Sequence, residues 1–285
     1  MSTALAAASF ADFWSEVLAP KFIRFRTVLV EGGKPHGQRA MRYFPPAPGA
    51  RVLDIGCGFG DTTLELAAQV GPSGSALGLD VVPAFLTFAE QAAAEMSVDN
   101  VSFVQADAET CALDDSFDYL FARFGTMFFE RPVAAFRNLR AMLKPEGQLV
   151  MTTWRALEQN PWLALAKEVA RAQLPPLGEA AVSCGPGPFS LADEELVRGL
   201  LERAGFREVS FVASDALARV GSSLGAAVDF ELALGPAGEL VREAGRAGED
   251  ALPRLRQAMA AALSPFLSED GVRLPSAAWI VRARA

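Results

Sequence analysis

Residues Val52 to Thr63 read Val-Leu-Asp-Ile-Gly-Cys-Gly-Phe-Gly-Asp-Thr-Thr, and this stretch decides the fold. The apolar run Val52, Leu53 and Ile55 breaks into alternating glycines and then a helical pattern, which is how a buried strand turning sharply into a helix is written. Gly56, Gly58 and Gly60 allow the main chain to approach a ligand without Cβ interference, and the next helix aims unpaired N–H groups at the same point. A G-x-G-x-x-G spacing cradles a pyrophosphate. Here Asp61 stands where the last glycine of that pattern would fall, and a carboxylate there suits a helix start but repels a pyrophosphate. The turn therefore fits a nucleoside without phosphates, and a nicotinamide oxidoreductase is disfavoured.

Outward from this turn, strands and helices alternate. Residues 10 to 30 carry apolar positions at helical spacing (Phe13, Trp14, Val17, Leu18) and predict an amphipathic helix. Gly32, Gly33 and Pro35 interrupt it, and Gln38 to Phe44 forms a second helix ending at Pro45. Strands are expected at Arg51 to Ile55, Ala76 to Leu79, Val101 to Ala106, Phe117 to Ala122 after the turn Asp114-Asp115-Ser116, and Gln148 to Trp154. Helices fall between them, one opened by Pro83 and one by Pro132; Lys144 to Gly147 closes the latter. Asn160-Pro161 starts a helix to about Gln173, Pro175 to Pro188 is a breaker-rich connection, and Asp193 to Ala204 is a capped helix stopped at Gly205. Arg207 to Ala213 and Ala277 to Ala283 complete the strands, with a helical insertion from Ser222 to Leu267.

This alternation predicts a Rossmann-like, doubly wound α/β sheet of seven strands, mostly parallel with an antiparallel last strand. The organisation expected is one domain: an N-terminal helical lid (1–37), a core (38–155), the second half of the sheet (156–221), the insertion (222–267) and the last strand (268–285). Asp54, Asp80, Asp107, Arg123 and Trp154 then gather on the rim where open α/β sheets bind ligands.

Composition narrows the function. With 51% hydrophobic and 21% charged residues the chain is globular, and a net charge of −8 argues against a nucleic-acid partner. Cys57, Cys111 and Cys184 are widely spaced with no C-x-x-C pair, which fits a reducing compartment. A single histidine, His36, leaves no His-rich metal site, and no metal is expected. No segment reads as a membrane span or a signal with a basic start, so a cytoplasmic location is expected.

The motifs together resemble class I S-adenosylmethionine-dependent methyltransferases. They are Val52 to Gly60, Asp80 after the second strand, Asp107-Ala108 after the third, and Leu143-Lys-Pro-Glu-Gly147 before the fifth. The similarity covers about Gln38 to Arg155 and is greatest to the ubiquinone and menaquinone biosynthesis group; Glu146, where that family often has glycine, and the long insertion depart from it.

The resemblance implies S-adenosylmethionine as cofactor, S-adenosylhomocysteine as product, and methyl transfer to a small-molecule O, N or C acceptor without a metal. It places Gly56, Cys57 and Gly58 against the methionine part, Asp80 on the ribose hydroxyls and Val81 on the adenine. Asp107 would accept from the adenine amino group, Ala108 would offer its N–H, and Arg123 would lie by the sulfonium; Asp54, Thr62 and Ala106 complete the expected cofactor set. Phe124, Phe128, Trp154 and Arg155 are the expected acceptor residues, with core packing the alternative for Phe128 and Phe129; Arg123 and Arg155 are expected to pair either with a substrate carboxylate or with acidic neighbours. His36, read as lying in the turn before the core, is the one candidate general base, and otherwise a surface residue. A non-methylating adenosylmethionine-binding protein or an adenosylmethionine-using cyclase shares all these motifs. The insertion is expected either to roof the acceptor pocket or to form a homodimer contact.

Overall fold

The computed structural model describes residues 10–113, 116–175 and 186–285. The Asp114-Asp115 part of the expected turn, most of the Pro175 to Pro188 connection with Cys184, and the first nine residues lie outside them.

Strands β1 (Arg51–Ile55), β2 (Ser75–Asp80), β3 (Val101–Gln105), β4 (Phe117–Arg123), β5 (Leu143–Trp154), β6 (Arg207–Gly221), β7 (Leu267–Ser268) and β8 (Gly271–Arg284) form one sheet. Its order is β3-β2-β1-β4-β5-β8-β6, with β7 paired to β8. β1 to β5 are parallel; β8 runs antiparallel to both β5 and β6. The order reverses at β1, so the crevice beyond the ends of β1 and β4 lies at the switch point. Val52, Leu53 and Ile55 are fully buried, as expected of a central strand with both faces covered. On the flanks lie α4 (Asp61–Val70), α5 (Pro83–Glu95), α6 (Pro132–Ala141), α7 (Pro161–Gln173) and α8 (Glu194–Arg203), the last capped by Asp193, whose carboxylate accepts from the Leu196 N–H at 2.7 Å.

The N-terminal region differs from its sequence reading. The first helix is split into α1 (Phe10–Phe13), a π turn (Trp14–Leu18) and α2 (Ala19–Arg24), and the chain turns at Phe25. Helix α3 (Arg26–Tyr43) then runs straight through Gly32, Gly33 and Pro35, where a break was expected. Gly33 and Gly37 serve a close approach instead: a Cβ on Gly37 would stand 3.0 Å from Arg123 Cδ, and one on Gly33 3.4 Å from Arg123 Nε. Nor do Lys144 to Gly147 precede β5. They bulge within it, because Leu143 pairs with Phe117 while Gln148 pairs with Tyr119, and the Lys144 ammonium holds Asp118 at 2.8 Å. Glu146 sits in the bulge at φ +66, a left-handed conformation that glycine adopts more readily.

β6 and β8 run well past their expected ends, as a long antiparallel pair reaching Gly221 opposite Val272. Between them, α9 (Leu224–Ala233), α10 (Gly235–Glu243) and α11 (Arg246–Leu263) pack a second core on α7, with Phe230, Leu255 and Met259 buried against Ala166 and Ala170. Phe25 joins this core edge-on to Phe230 at 5.5 Å, so the N-terminal segment and the insertion meet. Among the described residues no helix is long and apolar enough to cross a membrane.

Candidate active site

The site begins where β1 ends. Gly56, Gly58 and Gly60 have φ of +64, +55 and +79, a conformation that an L side chain rarely adopts. A Cβ on Gly58 would meet nothing within 4 Å, so that stretch of backbone faces open space. Gly60 is the opposite case: its Cβ would fall 2.6 Å from Ala89 Cβ, so glycine lets α4 and α5 close together. Asp80, at the end of β2, fixes the turn. Its Oδ2 accepts from the Gly58 N–H at 2.8 Å and its Oδ1 from the Val82 N–H at 2.9 Å, leaving each oxygen a further lone pair. At the end of β3, Asp107 forms its own turn, accepting from the Glu109 N–H at 2.8 Å and the Thr110 hydroxyl at 3.1 Å.

Arg123, at the end of β4, meets Asp61 at the start of α4 in a bidentate pair, both contacts 2.7 Å. The next residue, Phe124, holds φ +59, an outlier for an aromatic side chain. Its N–H is bonded to Thr152 O at 3.1 Å, and its ring stacks on Trp154 at 3.7 Å with the planes 10° apart. That contact offsets a left-handed penalty of ~1 kcal/mol.

These groups open into one cavity of about 850 Å³. The glycine turn, Asp80 and Asp107 lie at one end, and Trp14, Phe128, Trp154, Trp162 and Phe230 wall the remainder. Trp14, from the π turn, packs edge-on to Phe128 at 4.9 Å and to Phe22 at 5.2 Å, so the N-terminal segment covers the aromatic end.

Most of the expected residues meet here: Gly56, Cys57, Gly58, Thr62, Asp80, Val81, Ala106, Asp107, Ala108 and Arg123 line the cavity, together with Phe124, Phe128 and Trp154. Cys57 is buried, which pushes its thiol well above the usual range.

Asp54, His36 and Arg155 lie outside the lining. Asp54 is buried beneath the turn, where its Oδ2 accepts from the Thr63 hydroxyl at 2.7 Å while its Oδ1 has no protein partner. Burial raises its pKa to about 7, against the pull of the Thr63 hydroxyl and Arg123. Arg155 reaches away, to Asp215 Oδ1 at 3.1 Å and over the ring of Trp279 at 4.7 Å. His36 lies inside α3, fully buried, and neither in a turn nor at the surface.

The hydrogen bonds around His36 assign its tautomer. The Ser276 hydroxyl donates to Ala216 O at 3.1 Å, so it accepts from Nε2–H at 3.0 Å. Nδ1 then accepts from the Ser214 hydroxyl at 2.8 Å, and that oxygen accepts from Arg39 at 3.1 Å. Every position is filled by a neutral ring. Burial and then the Arg39 charge lower its pKa to about 4. Its function here is to tie α3 to β6 and β8.

Several cavity residues carried no signal in the sequence. Trp162, Lys167, Phe230 and Glu239 come from α7, α9 and α10, and an apolar helical stripe does not say which cavity it faces.

A mixed sheet, parallel through β5, with a glycine turn clasped by the aspartate of the next strand and opening into an aromatic chamber at the switch point, is a ligand-binding α/β domain. The chain belongs to the methyltransferase domain family, whose sequence pattern matches residues 46–205. The demethylmenaquinone methyltransferase of Staphylococcus carnosus is 36% identical over 114 residues, 40% of this chain and 46% of that protein. The ubiquinone/menaquinone biosynthesis C-methyltransferase UbiE of Ectopseudomonas mendocina is 30% identical over 174 residues, 58% of this chain and 68% of the relative. The chain thus spans about half the length of the first relative and about two thirds of the second. In fold it is similar to Haemonchus contortus phosphoethanolamine N-methyltransferase 2, solved with phosphomonomethylethanolamine and S-adenosylhomocysteine, at TM-score 0.60 and 16% identity over 98% of this chain and 60% of that one.

The cofactor of this family is S-adenosylmethionine, and the residues fit it. The open backbone at Gly58 leaves room against the turn, and the spare lone pairs of Asp80 suit a vicinal diol.

Proposed function

We propose that this chain transfers the methyl group of S-adenosylmethionine to an apolar, ring-bearing small molecule. The observation that carries the reading is the continuity of one cavity of about 850 Å³, from the glycine turn to the aromatic wall. That volume is near the top of the range of small-molecule sites, ~300–1,000 Å³, and suits two ligands side by side. The names of the two sequence relatives, both drawn from quinone chemistry, support a ring acceptor.

When bound, the cofactor supplies a methyl already activated on a sulfonium. The chain's own work is alignment and exclusion of water. Gly56, Cys57 and Gly58 lie against the methionine part, Asp80 holds the ribose hydroxyls, Asp107 and Ala108 hold the base, and Thr62 lines the same cavity. Phe124, Phe128 and Trp154 orient the acceptor. Arg123, neutralised by Asp61, serves to brace α3 and α4 around the site and not to capture an anion. His36 takes no proton from the acceptor, because both its nitrogens are committed to serines.

The test is incubation with methyl-labelled S-adenosylmethionine and a panel of quinols, phenols, amines and carboxylic acids, reading labelled product and S-adenosylhomocysteine together. Stoichiometric methylated product is expected with a ring acceptor. Cofactor binding with an altered but unmethylated product would instead identify a cyclase.

A further inference from the structure

The cationic side chains of the cavity wall differ in one respect. Arg123 is paired with Asp61 at 2.7 Å, and Arg219 with Glu31 at 2.8 Å. Lys167 lines the same cavity and, among the described residues, makes no ion pair or hydrogen bond. It is partly buried, on α7 one helical turn beyond the buried Leu163, which also lines the cavity. Gly235, at the start of α10, approaches that face so closely that a Cβ would fall 2.7 Å from Leu163 Cδ2. One turn further along α10, Glu239 is an acidic residue that lines the same cavity. Glu239 is turned elsewhere, however, with both carboxylate oxygens on the Arg242 guanidinium.

A cation that lines an apolar cavity and carries no carboxylate of the protein is free to pair with an anionic group that a ligand brings. The surrounding surfaces are aromatic and aliphatic: Trp162 stacks on Phe230 at 6.4 Å with the planes 12° apart, and Leu234 and Pro236 continue the wall. We propose that Lys167 is a specificity-determining residue for the acceptor, and that the preferred acceptor is an apolar ring compound carrying one anionic oxygen group, a carboxylate or an ionised phenol, which pairs with it. The inference rests on the acceptor occupying the aromatic end of the cavity. It replaces the expectation that Arg123 or Arg155 would meet such a group, since both are already paired.

The test measures equilibrium binding by quenching of the cavity tryptophans in the full chain saturated with S-adenosylhomocysteine. The probes are 2-naphthoic acid and 2-naphthamide, which match in shape and differ in charge. The wild type should bind the acid at least ~10-fold more tightly than the amide, Lys167→Arg should keep the preference, and Lys167→Met should reduce it to within ~2-fold. S-adenosylhomocysteine affinity should be unchanged in both variants, which separates this inference from the cofactor assignment. Equal binding of acid and amide to the wild type, no binding of the acid, or a preference that survives Lys167→Met would overturn it.

Discussion

Arg123 and Asp61 join the end of β4 to the first turn of α4 through two parallel contacts of 2.7 Å, with the arginine side chain 13% and the aspartate 28% exposed. The two partners are not equivalent. Removing Asp61 strands a buried guanidinium, whereas removing Arg123 leaves a carboxylate at a helix N-terminus, where the helix dipole favours it. Asp61→Asn should therefore cost about 2–3 kcal/mol and Arg123→Met, which keeps the stem between Gly33 and Gly37, about 1 kcal/mol. Urea denaturation of both variants checks the order. Equal losses would show that the pair does not brace the site.

Asp80 gives a second prediction. Asn at this position replaces one acceptor oxygen with a donor, so the Gly58 or the Val82 N–H loses its partner. Asp80→Asn should lower stability by about 1–3 kcal/mol and weaken S-adenosylhomocysteine binding by ~10-fold or more. Calorimetric titration checks the second figure, and an unchanged affinity would remove Asp80 from the cofactor site.

At Gly60 two penalties coincide, a φ of +79 and a Cβ position 2.6 Å from Ala89 Cβ. Gly60→Ala should cost about 3 kcal/mol, the sum of a left-handed residue and an overpacked helix contact. Gly58→Ala has only the conformational penalty, because its Cβ would meet nothing within 4 Å, and should cost about 1 kcal/mol. Thermal melts that rank the two in reverse would contradict the packing described.

His36 and Asp54 make stability depend on pH with opposite signs. His36 falls from 6.5 to about 4 on folding, so between these values the unfolded chain binds more protons, and its contribution is lost as pH falls from 6.5 to 4. Asp54 rises from 3.8 to about 7, so its contribution is lost as pH rises through that window. Where the windows overlap the two offset each other in the wild type. His36→Asn should therefore gain stability relative to the wild type as pH drops from 6.5 to 4.5, by about 2 kcal/mol. Denaturant midpoints at several pH values check this, and a difference independent of pH would contradict a neutral, buried His36.

The strand, glycine turn and helix around Val52 to Thr63 were legible because their signals are local: an apolar run, positive-φ glycines and a helical stripe. The glycines of α3 misled for the reverse reason. Gly33 and Gly37 make room for Arg123, and nothing in their own neighbourhood records a partner so distant in the chain. His36 was misplaced with them, and its serine partners belong to strands whose extensions carry weak patterning. Asp80 and Asp107 are legible as strand-end carboxylates because strand ends are marked by apolar runs. That Lys167 lines the cavity is not legible, because a lysine on an amphipathic helix reads as a solvated face until its surroundings are known.

We infer that the glycine turn and Asp80 hold a nucleoside without phosphates, S-adenosylmethionine. Calorimetric titration of the full chain with S-adenosylhomocysteine and, separately, with NAD tests it most directly. One S-adenosylhomocysteine per chain should bind saturably at micromolar concentration, and NAD should not bind. Binding of NAD without binding of S-adenosylhomocysteine would contradict it.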